Sequence, residues 1–304
     1  MIFEINNTTT ISNILLQMSP GDTLILNDGI YDEKIEIWID NITIKAKNKH
    51  QAIISNNDYY HKIMSNHNEC NTFNTFTIYI ASNNVKLEGL TIENRSTPSH
   101  IFGQAVALHV DGNNVKCSEC LIKSAQDTLF TGPLPNDLLI RYAGFYPKER
   151  LKGTPSKQTY EKCTIVGDVD FIFGGATAFF NNCNIVTLKR KSTNPAFISA
   201  PSHSYETEFG YLFYRCNIVG EASTYLARPW RDYGTAAFIE CNLSNHIEPL
   251  GFNKWEGTSR DKTARFYEYN DVDTSQRVPW AIQLTKEKAN EYVKNFIKFM
   301  EKDH

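Results

Sequence analysis

The chain has 304 residues, a formal net charge of −3 and 41% hydrophobic residues. This length and composition exclude a disordered chain and leave room for one large core or two ordinary ones. No run of about 18 apolar residues occurs, so no membrane-spanning helix is expected, and a slightly acidic balance without a basic block argues against nucleic acid as a partner.

The N-terminus and the cysteines bear on the compartment. Residues 1–8 lack the basic segment, apolar stretch and cleavage site of a secretory signal, so we expect a cytoplasmic protein, with secretion after removal of a leader as the alternative. The seven cysteines are odd in number. Cys117 and Cys120 are separated by two residues, but no second pair follows, and the eight histidines are scattered. We therefore expect no metal and no cofactor. We also expect the protein to be a monomer.

The first predicted element is a helix. Residues 10–18 show helical spacing of apolar positions, and Ser19-Pro20-Gly21 ends it. Short strand-like runs follow, separated by Asn, Asp and Gly. Two of them, starting at Asn83 and Asn113, share the sequence Asn-Asn-Val-Lys and lie 30 residues apart.

A second phrase recurs further along, with a Cys two residues before an aliphatic residue. Its copies are Cys120-Leu-Ile122, Cys163-Thr-Ile165, Cys183-Asn-Ile185, Cys216-Asn-Ile218 and Cys241-Asn-Leu243. Unequal spacing between such short units predicts a solenoid with loops of variable length, namely a parallel β-helix with stacked cysteines inside. An antiparallel β-sandwich is the rival fold, but it does not explain phrases that repeat in one sequence direction.

The ends of a solenoid need covers. The helix at 10–18 is predicted to cover one end, and the amphipathic segment 284–302 is predicted to form a helix over the other. No linker or shift in composition divides the chain. The sequence therefore predicts an all-β fold in one domain, residues 1–304, with short capping helices.

Two aspartates occupy equivalent places in this repeat. Asp127 follows Cys120, and Asp170 follows Cys163, by seven positions in both cases. Strands on neighbouring coils lie about 4.8 Å apart, so the two carboxylates are expected to face each other. Such a pair does not ionise at ordinary pKa values, and one acid beside one base suits ester or glycoside chemistry. Hydrogen bonding of a turn is the alternative role.

Five segments resemble the signature segments of the pectin methylesterases, or pectinesterases, and occur in that family's order. They are Gly29-Ile-Tyr31-Asp-Glu33, Gln104-Ala-Val-Ala-Leu108, Gln126-Asp127-Thr-Leu129, Asp170-Phe-Ile-Phe-Gly174 and Leu226-Ala-Arg228-Pro-Trp230, and Arg277-Val-Pro-Trp280 resembles the closing pattern. The resemblance runs from about residue 20 to 282. It implies a right-handed parallel β-helix, in agreement with the repeats.

The resemblance also implies an activity, the hydrolysis of C6 methyl esters of galacturonate units in pectin or methylated oligogalacturonides. Asp170 matches the nucleophile and Asp127 the general acid and base. Gln126, helped by Gln104, matches the amide that stabilises the oxyanion. Arg228 matches the arginine that orients the nucleophile.

Trp230 resembles the aromatic platform for a sugar ring, whereas the segment at Gly29, Tyr31 and Glu33 is expected to be structural. Phe252 stands where many members have Trp, so we expect an altered stacking surface there, with Trp255 compensating.

Residues 131–157 form a longer connection than in plant-like members, and we expect them to border the cleft and to shorten or cover the polymer groove. A solvated loop without a role is the alternative. Its polar and aromatic side chains are Arg141, Tyr142, Phe145, Tyr146, Lys148, Arg150 and Lys152.

Three other functions stay open. The same site could hydrolyse another carboxylic ester or a thioester. A β-helix without catalysis could bind acidic polysaccharide, although binding alone needs no paired aspartates. A polysaccharide lyase or galacturonase shares the architecture, but the five esterase-like segments argue against both.

Overall fold

The chain winds into a coil of short strands with three sides. The computed structural model describes residues 1–64, 67–141 and 156–302. From Thr23 to Leu243, successive strands join the three sheets in turn, and every pairing between the described strands is parallel. This topology confirms the predicted parallel β-helix and excludes the antiparallel sandwich.

In the described part of the chain, sheet A has 11 strands, sheet B has eight and sheet C has seven. With strands numbered in chain order, sheet A contains β1 (Ile2–Ile5), β2 (Thr23–Leu26), β5 (Thr43–Ala46), β8 (Lys86–Glu88), β11 (Val115–Ser118), β14 (Lys157–Glu161), β17 (Thr177–Asn181), β20 (Tyr211–Tyr214), β23 (Thr235–Ile239), β25 (Arg265–Tyr269) and β26 (Ile282–Gln283). Sheet B contains β3 (Gly29–Asp32), β6 (Ala52–Asn56), β9 (Thr91–Asn94), β12 (Leu121–Lys123), β15 (Thr164–Gly167), β18 (Asn184–Thr187), β21 (Asn217–Gly220) and β24 (Asn242–Leu243). Sheet C contains β4 (Ile35–Ile37), β7 (Ile78–Ile80), β10 (Leu108–Val110), β13 (Leu129–Thr131), β16 (Val169–Gly174), β19 (Ala196–Pro201) and β22 (Thr224–Ala227).

Helices are few and mostly short. They are α1 (Ile11–Leu15), α2 (Ser99–Phe102), α3 (Asn136–Arg141) and α4 (Lys286–Glu301), with 3₁₀ turns at Thr72–Asn74 and Arg260–Lys262. Among the described residues, no helix combines the length and apolarity needed to cross a membrane.

The interior is built from equivalent side chains stacked coil on coil. The aliphatic residues of the repeated Cys phrases pair in register, from Ile122 through Ile165, Ile185 and Ile218 to Leu243. On sheet A, Phe180, Phe213 and Phe238 stack with ring centroids 4.6 and 4.4 Å apart and planes within 9°. The predicted repeat is therefore the repeat of the fold, and burial of these columns stabilises it.

A left-handed residue precedes each repeated cysteine and makes the tight turn from sheet A to sheet B. These residues are Glu119, Lys162, Asn182, Arg215 and Glu240, with φ of 52° or 53°. The described residues include all seven cysteines, and each is buried with a free thiol. Cys120, Cys163, Cys183, Cys216 and Cys241 join the hydrophobic core. The predicted interior column of cysteines is confirmed.

Helix α1 lies at the N-terminal end of the coil, with Ile11 and Leu15 buried in the core. The Glu33 carboxylate accepts hydrogen bonds from the first amides of this helix, those of Ile11 at 2.6 Å and Ser12 at 3.2 Å. These amides have no partner inside a helix, so a carboxylate there stabilises it. The buried Tyr31 hydroxyl donates to Asn27 O at 3.0 Å. The expected structural roles of Tyr31 and Glu33 are confirmed.

Helix α4 corrects one expectation. It packs against the outer face of sheet A, through a cluster that joins Val293 and Phe296 to Phe209, Leu212 and Ile239, instead of closing the C-terminal end of the coil. The reason lies in alternation along the strands. On β20 and β23, Tyr211, Phe213, Ala236 and Phe238 point inward, while Leu212, Ala237 and Ile239 give the sheet a second apolar face.

We expect Phe296→Ala to lower the free energy of unfolding by about 3 kcal/mol, because it removes a buried ring and leaves a cavity. Phe296 is 0% exposed and contacts Phe179 and Phe209, with ring centroids 5.5 and 5.4 Å apart. The measurement is the urea denaturation midpoint, with the exposed Lys298→Ala on the same helix as the control. An unchanged midpoint for the Phe296 variant would contradict the docking of α4 on sheet A.

Candidate active site

The paired aspartates lie where two adjacent coils turn from sheet B to sheet C, Asp127 in the turn before β13 and Asp170 at the second position of β16. Leu129 pairs with Ile172, so Asp127 and Asp170, each two positions earlier, occupy equivalent places on adjacent coils. The Asp127 amide donates to Val169 O at 3.0 Å, which ties the two turns together. Both aspartates have left-handed backbones, with φ of 63° and 49°. Asp tolerates this conformation better than most residues. The predicted juxtaposition of the two turns is confirmed.

Arg228, directly after β22, holds Asp170 through a two-pronged ion pair. Its Nε donates to Asp170 Oδ1 at 2.8 Å, and its second terminal nitrogen donates to Oδ2 at 2.6 Å. The guanidinium lies between two aromatic rings, 3.8 Å from the Phe197 ring centroid and 4.0 Å from that of Trp255. Both faces of the guanidinium are covered and its edge is turned to the carboxylate, so the pair is fixed in one orientation.

The two carboxyl groups differ in their electrostatic surroundings. Burial, together with the negative charge of Asp170, raises the pKa of Asp127 well above its ordinary value. Burial also raises the pKa of Asp170, but the hydrogen bonds and charge of Arg228 oppose that rise. We therefore assign the proton of the pair to Asp127 and the ionised state to Asp170.

Gln104 and Gln126 stand side by side on adjacent coils, joined by a parallel bridge between their backbones. Both line a pocket of about 590 Å³ that also contains Asp127, Asp170 and Arg228. The structure thus brings all five predicted catalytic residues into one pocket, with two neutral amides beside the carboxyl pair.

The wall of this pocket is aromatic and cationic. Its other lining residues are Thr72, Phe73, Asp137, Leu138, Arg141, Phe173, Ala200, Trp230, Arg231, Trp255 and Arg260. Trp230 packs on Phe173, with ring centroids 5.6 Å apart, and the Arg231 guanidinium lies 4.7 Å from the Trp230 ring. The predicted substrate-binding residues Trp230 and Trp255 therefore lie in the pocket wall.

The prediction for Phe252 is wrong. This residue is 1% exposed and lies inside the coil, with ring centroids 5.2 Å from Phe266 and 6.1 Å from Phe238. Its backbone pairs with Ala227 of β22, so Phe252 continues the inward-facing column of sheet C by one coil and packs against the aromatic rings of sheet A. A ring enclosed in this way offers no face to a substrate.

The described part of the segment 131–157 borders the pocket, as expected. Leu138 of α3 packs in the same cluster as Phe73 and Trp230. Arg231 donates two hydrogen bonds, of 3.1 and 2.7 Å, to the Asp137 carboxylate of α3, and Arg141 lines the pocket. Of the side chains named for this segment, Tyr142, Phe145, Tyr146, Lys148, Arg150 and Lys152 lie outside the described residues.

Sequence reasoning missed Phe197, Arg231 and Arg260. Arg260 donates to Pro229 O at 3.1 Å, and its guanidinium carbon lies 5.8 Å from the Trp255 ring. Arg231 could have been predicted as a pocket residue, because it directly follows Trp230 in the sequence. No sequence pattern marked Phe197, which reaches Arg228 because β19 and β22 are adjacent strands of sheet C.

We expect Phe197→Leu to lower kcat about fivefold, since exposed to partly buried cation–π contacts contribute about 0.5–2 kcal/mol. A less firmly held Arg228 lets the pKa of Asp170 rise, so the acid limb of the pH–rate profile should also move to higher pH. Phe179→Leu, on the outer face of sheet A, is the matched control. A normal acid limb in the Phe197 variant would show that this ring does not position Arg228.

Within the ranges that the structure describes, no group of three or more His, Cys, Asp or Glu side chains is arranged to hold a metal ion. The Tyr79–Asp111–His109 hydrogen-bonded chain, with bonds of 2.9 and 3.2 Å, lies on the outer face of sheet C among aromatic rings.

Comparison with known proteins places this chain in a family. The family model described as Pectinesterase matches residues 7–134 and 148–300. A probable pectinesterase/pectinesterase inhibitor 19 from Arabidopsis thaliana is 31% identical over 272 residues, which are 85% of this chain and 46% of that protein. A probable pectinesterase 30 from the same plant is 30% identical, over 88% of this chain and 52% of that protein. The chain belongs to the pectinesterase family.

Solved structures agree on the fold. The pectin methylesterase from carrot superposes with a TM-score of 0.78 at 20% identity, covering 97% of this chain and 95% of that one. A pectin methylesterase crystallised in complex with a hexasaccharide gives a TM-score of 0.76 at 23% identity, covering 95% of this chain and 92% of that one. The chain spans about half the length of the curated relatives it matches.

Proposed function

We propose that this chain hydrolyses C6 methyl esters of galacturonate units in pectin or methylated oligogalacturonides and releases methanol. The observation that carries the proposal is the Asp170 carboxylate, held by two bonds from Arg228, beside the buried Asp127 in one pocket. Family membership and the similarity to a pectin methylesterase crystallised with a hexasaccharide support the substrate class.

In the first half of the reaction, an Asp170 oxygen attacks the ester carbonyl carbon. The carbonyl oxygen becomes negative, and the amides of Gln126 and Gln104 stabilise it by donating hydrogen bonds. As the tetrahedral intermediate collapses, Asp127 transfers its proton to the methoxy oxygen, and methanol leaves. An anhydride between Asp170 and the sugar carboxyl group remains, and Asp127 is ionised.

In the second half, Asp127 takes a proton from water, and the resulting hydroxide attacks the carbonyl carbon of the sugar. The bond to Asp170 breaks, Asp170 leaves as a carboxylate, and Asp127 is again protonated. The sum is one ester and one water converted into methanol and a galacturonic acid unit, which ionises. The different surroundings of the two aspartates match these two roles.

The size and composition of the pocket fit a sugar ring. Trp230 and Trp255 offer aromatic surfaces, and four arginines line the pocket that holds the carboxyl pair, namely Arg141, Arg228, Arg231 and Arg260. We also propose that α3, fixed by the Arg231–Asp137 ion pair, limits the length of polymer that the groove accepts. The cytoplasm, where we expect this protein, would favour short oligogalacturonides.

The direct test is methanol release from methylated oligogalacturonides of defined length, beside simple aryl esters and a thioester. Preference for the methylated oligomers by a factor of a thousand or more supports the proposal. Turnover of the aryl ester or thioester alone would move the assignment to another ester hydrolase on the same scaffold. Binding of the oligomers without turnover of any ester would favour a polysaccharide-binding protein.

A further inference from the structure

A third buried carboxylate, that of Asp168, lies next to the catalytic pair. Asp168 is two residues before Asp170 in the chain. Its amide donates to Ala125 O at 2.9 Å, on the preceding coil just before the turn of Asp127. Its carbonyl oxygen accepts a hydrogen bond of 3.2 Å from the Phe197 amide, on the following coil. The backbone of Asp168 therefore joins three successive coils at the active site.

The Asp168 side chain is 5% exposed, and only one of its oxygens has partners. Oδ2 accepts a hydrogen bond from the Ser99 hydroxyl of α2 and lies 3.8 Å from Arg190 Nε. Oδ1 is buried and has no hydrogen-bond partner among the described residues. A buried carboxylate oxygen without a donor costs stability. Its charge is also weakly screened, so it acts strongly on ionisable groups nearby.

Arg190, the cation beside Asp168, is fixed in the turn from β18 to β19. One of its terminal nitrogens donates to Asn194 O and Pro195 O, both at 2.9 Å. Asp168 and Arg190 line a cavity of about 470 Å³, which shares Gln126 with the active-site pocket. The two charges are therefore held in place beside the catalytic pair.

The other charged and titratable groups around Asp168 come from three places: α2, the turn from β18 to β19, and the active-site pocket. They are His100, Lys189, Lys191, Asp127, Asp170 and Arg228. His100, Lys189 and Lys191 are exposed, so solvent and salt screen their charges. Asp168 and Arg190 are the buried charges of this set that lie outside the active-site pocket.

We propose that Asp168 is a positioning residue that keeps the proton of the catalytic pair on Asp127. A negative charge beside the pair favours the protonated form of both carboxyl groups. At Asp170 this effect is offset, because Arg228 donates both of its hydrogen bonds to that carboxylate. The inference rests on the proposed function, in which Asp127 delivers its proton to departing methanol.

The pKa shifts of the two catalytic carboxyl groups agree with this role. Burial raises the pKa of Asp127, the charge of Asp170 adds to the rise, Arg228 opposes it, and the charge of Asp168 adds to it again. Burial also raises the pKa of Asp170, and Arg228 lowers it. There the rise caused by Asp168 is opposed by Arg190. Asp168 and Arg190 together thus favour a protonated Asp127 without favouring a protonated Asp170.

The pH–rate profile of methanol release tests this role with two variants. Asp168→Asn keeps an acceptor for Ser99 and removes the charge, so the alkaline limb, set by Asp127, should move to lower pH by about one unit. Arg190→Gln removes the opposing cation, so the acid limb, set by Asp170, should move to higher pH. A structural role alone would lower the rate at every pH and shift neither limb, and that result overturns the proposal.

The matched controls are Asp32→Asn and Arg95→Gln. They break an exposed ion pair of 2.9 Å between the ends of β3 and β9 and remove the same charges far from the pocket. Both limbs should stay in place in these controls. A shift in the controls equal to that in the Asp168 and Arg190 variants would also overturn the proposal, because it would show an effect of net charge.

An infrared titration of the substrate-free enzyme separates this proposal from the proposed function. The carbonyl band of protonated Asp127 is identified by its absence in Asp127→Asn. It should disappear at a pH about one unit lower in Asp168→Asn than in wild type. Loss of the band at the same pH in both proteins overturns the proposal. No methanol from any substrate, with the infrared shift intact, sinks the esterase and leaves Asp168 as the group that keeps Asp127 protonated.

Discussion

Asp170→Asn should lower kcat for methanol release by about 10⁶-fold, the scale seen when a catalytic nucleophile is removed. An amide oxygen is a far weaker nucleophile than a carboxylate, and an amide presents a hydrogen-bond donor to Arg228 where the carboxylate presented a second acceptor. The residual rate over water should come from Arg228, the amides of Gln104 and Gln126, and substrate binding. Initial rates of methanol formation at saturating substrate give the comparison.

The Asp170 variant should remain folded, so the loss is chemical. Asp170 has φ of 49°, a conformation that Asn tolerates as well as Asp. Removing the charge also removes the cost of burying a carboxylate. The control is Asp271→Asn, which deletes the same charge at an exposed position near the C-terminal end of the coil. Turnover of the folded Asp170 variant within tenfold of wild type would rule out Asp170 as the nucleophile.

Much of the fold was predictable from the sequence because every coil of a solenoid requires similar residues at equivalent positions. Each Cys phrase stacks on the one before it, so a short pattern that carries little information alone recurs five times in register. The same repeat predicts that Asp127 lies opposite Asp170 on the next coil. The repeats alone did not predict the role of Arg228, because this residue comes from another coil and 58 residues separate it from Asp170. The family resemblance was required.

What sequence reasoning missed depended on which way a side chain points. Phe252 was expected in a stacking surface because many family members have Trp at that place, but its position on the coil turns the ring inward. The segment 284–302 was correctly predicted as an amphipathic helix. The surface on which this helix packs was not predicted, because composition does not distinguish an apolar outer face of sheet A from an apolar inner face.

Asp127→Asn should lower kcat by about 10³-fold, within the range of general acid–base catalysis. An amide cannot deliver a proton to departing methanol, nor take one from water. KM should change little, because Asp127 acts mainly on the leaving group. The measurement is steady-state methanol release across pH, with Asp271→Asn again as the control.

The pH dependence distinguishes the role of Asp127 from a structural one. Wild type needs Asp127 protonated and Asp170 ionised, so its rate should fall on the acid side as Asp170 takes up a proton and on the alkaline side as Asp127 loses one. The residual rate of the Asp127 variant should lose the alkaline fall. An alkaline limb that persists unchanged would show that another group supplies the proton.

Stability gives an independent reading of the same carboxyl group. The pKa of Asp127 is raised in the folded state, so the unfolded chain releases this proton first as the pH rises. Its contribution to stability is therefore present below the ordinary Asp pKa of 3.8 and is lost as the pH rises to the raised value. The Asp127→Asn variant has no such contribution to lose. Its Tm should therefore rise relative to the Tm of wild type as the pH increases through this window, and the difference should persist at higher pH. A Tm difference that does not change with pH would mean that Asp127 ionises in the folded protein as readily as in water.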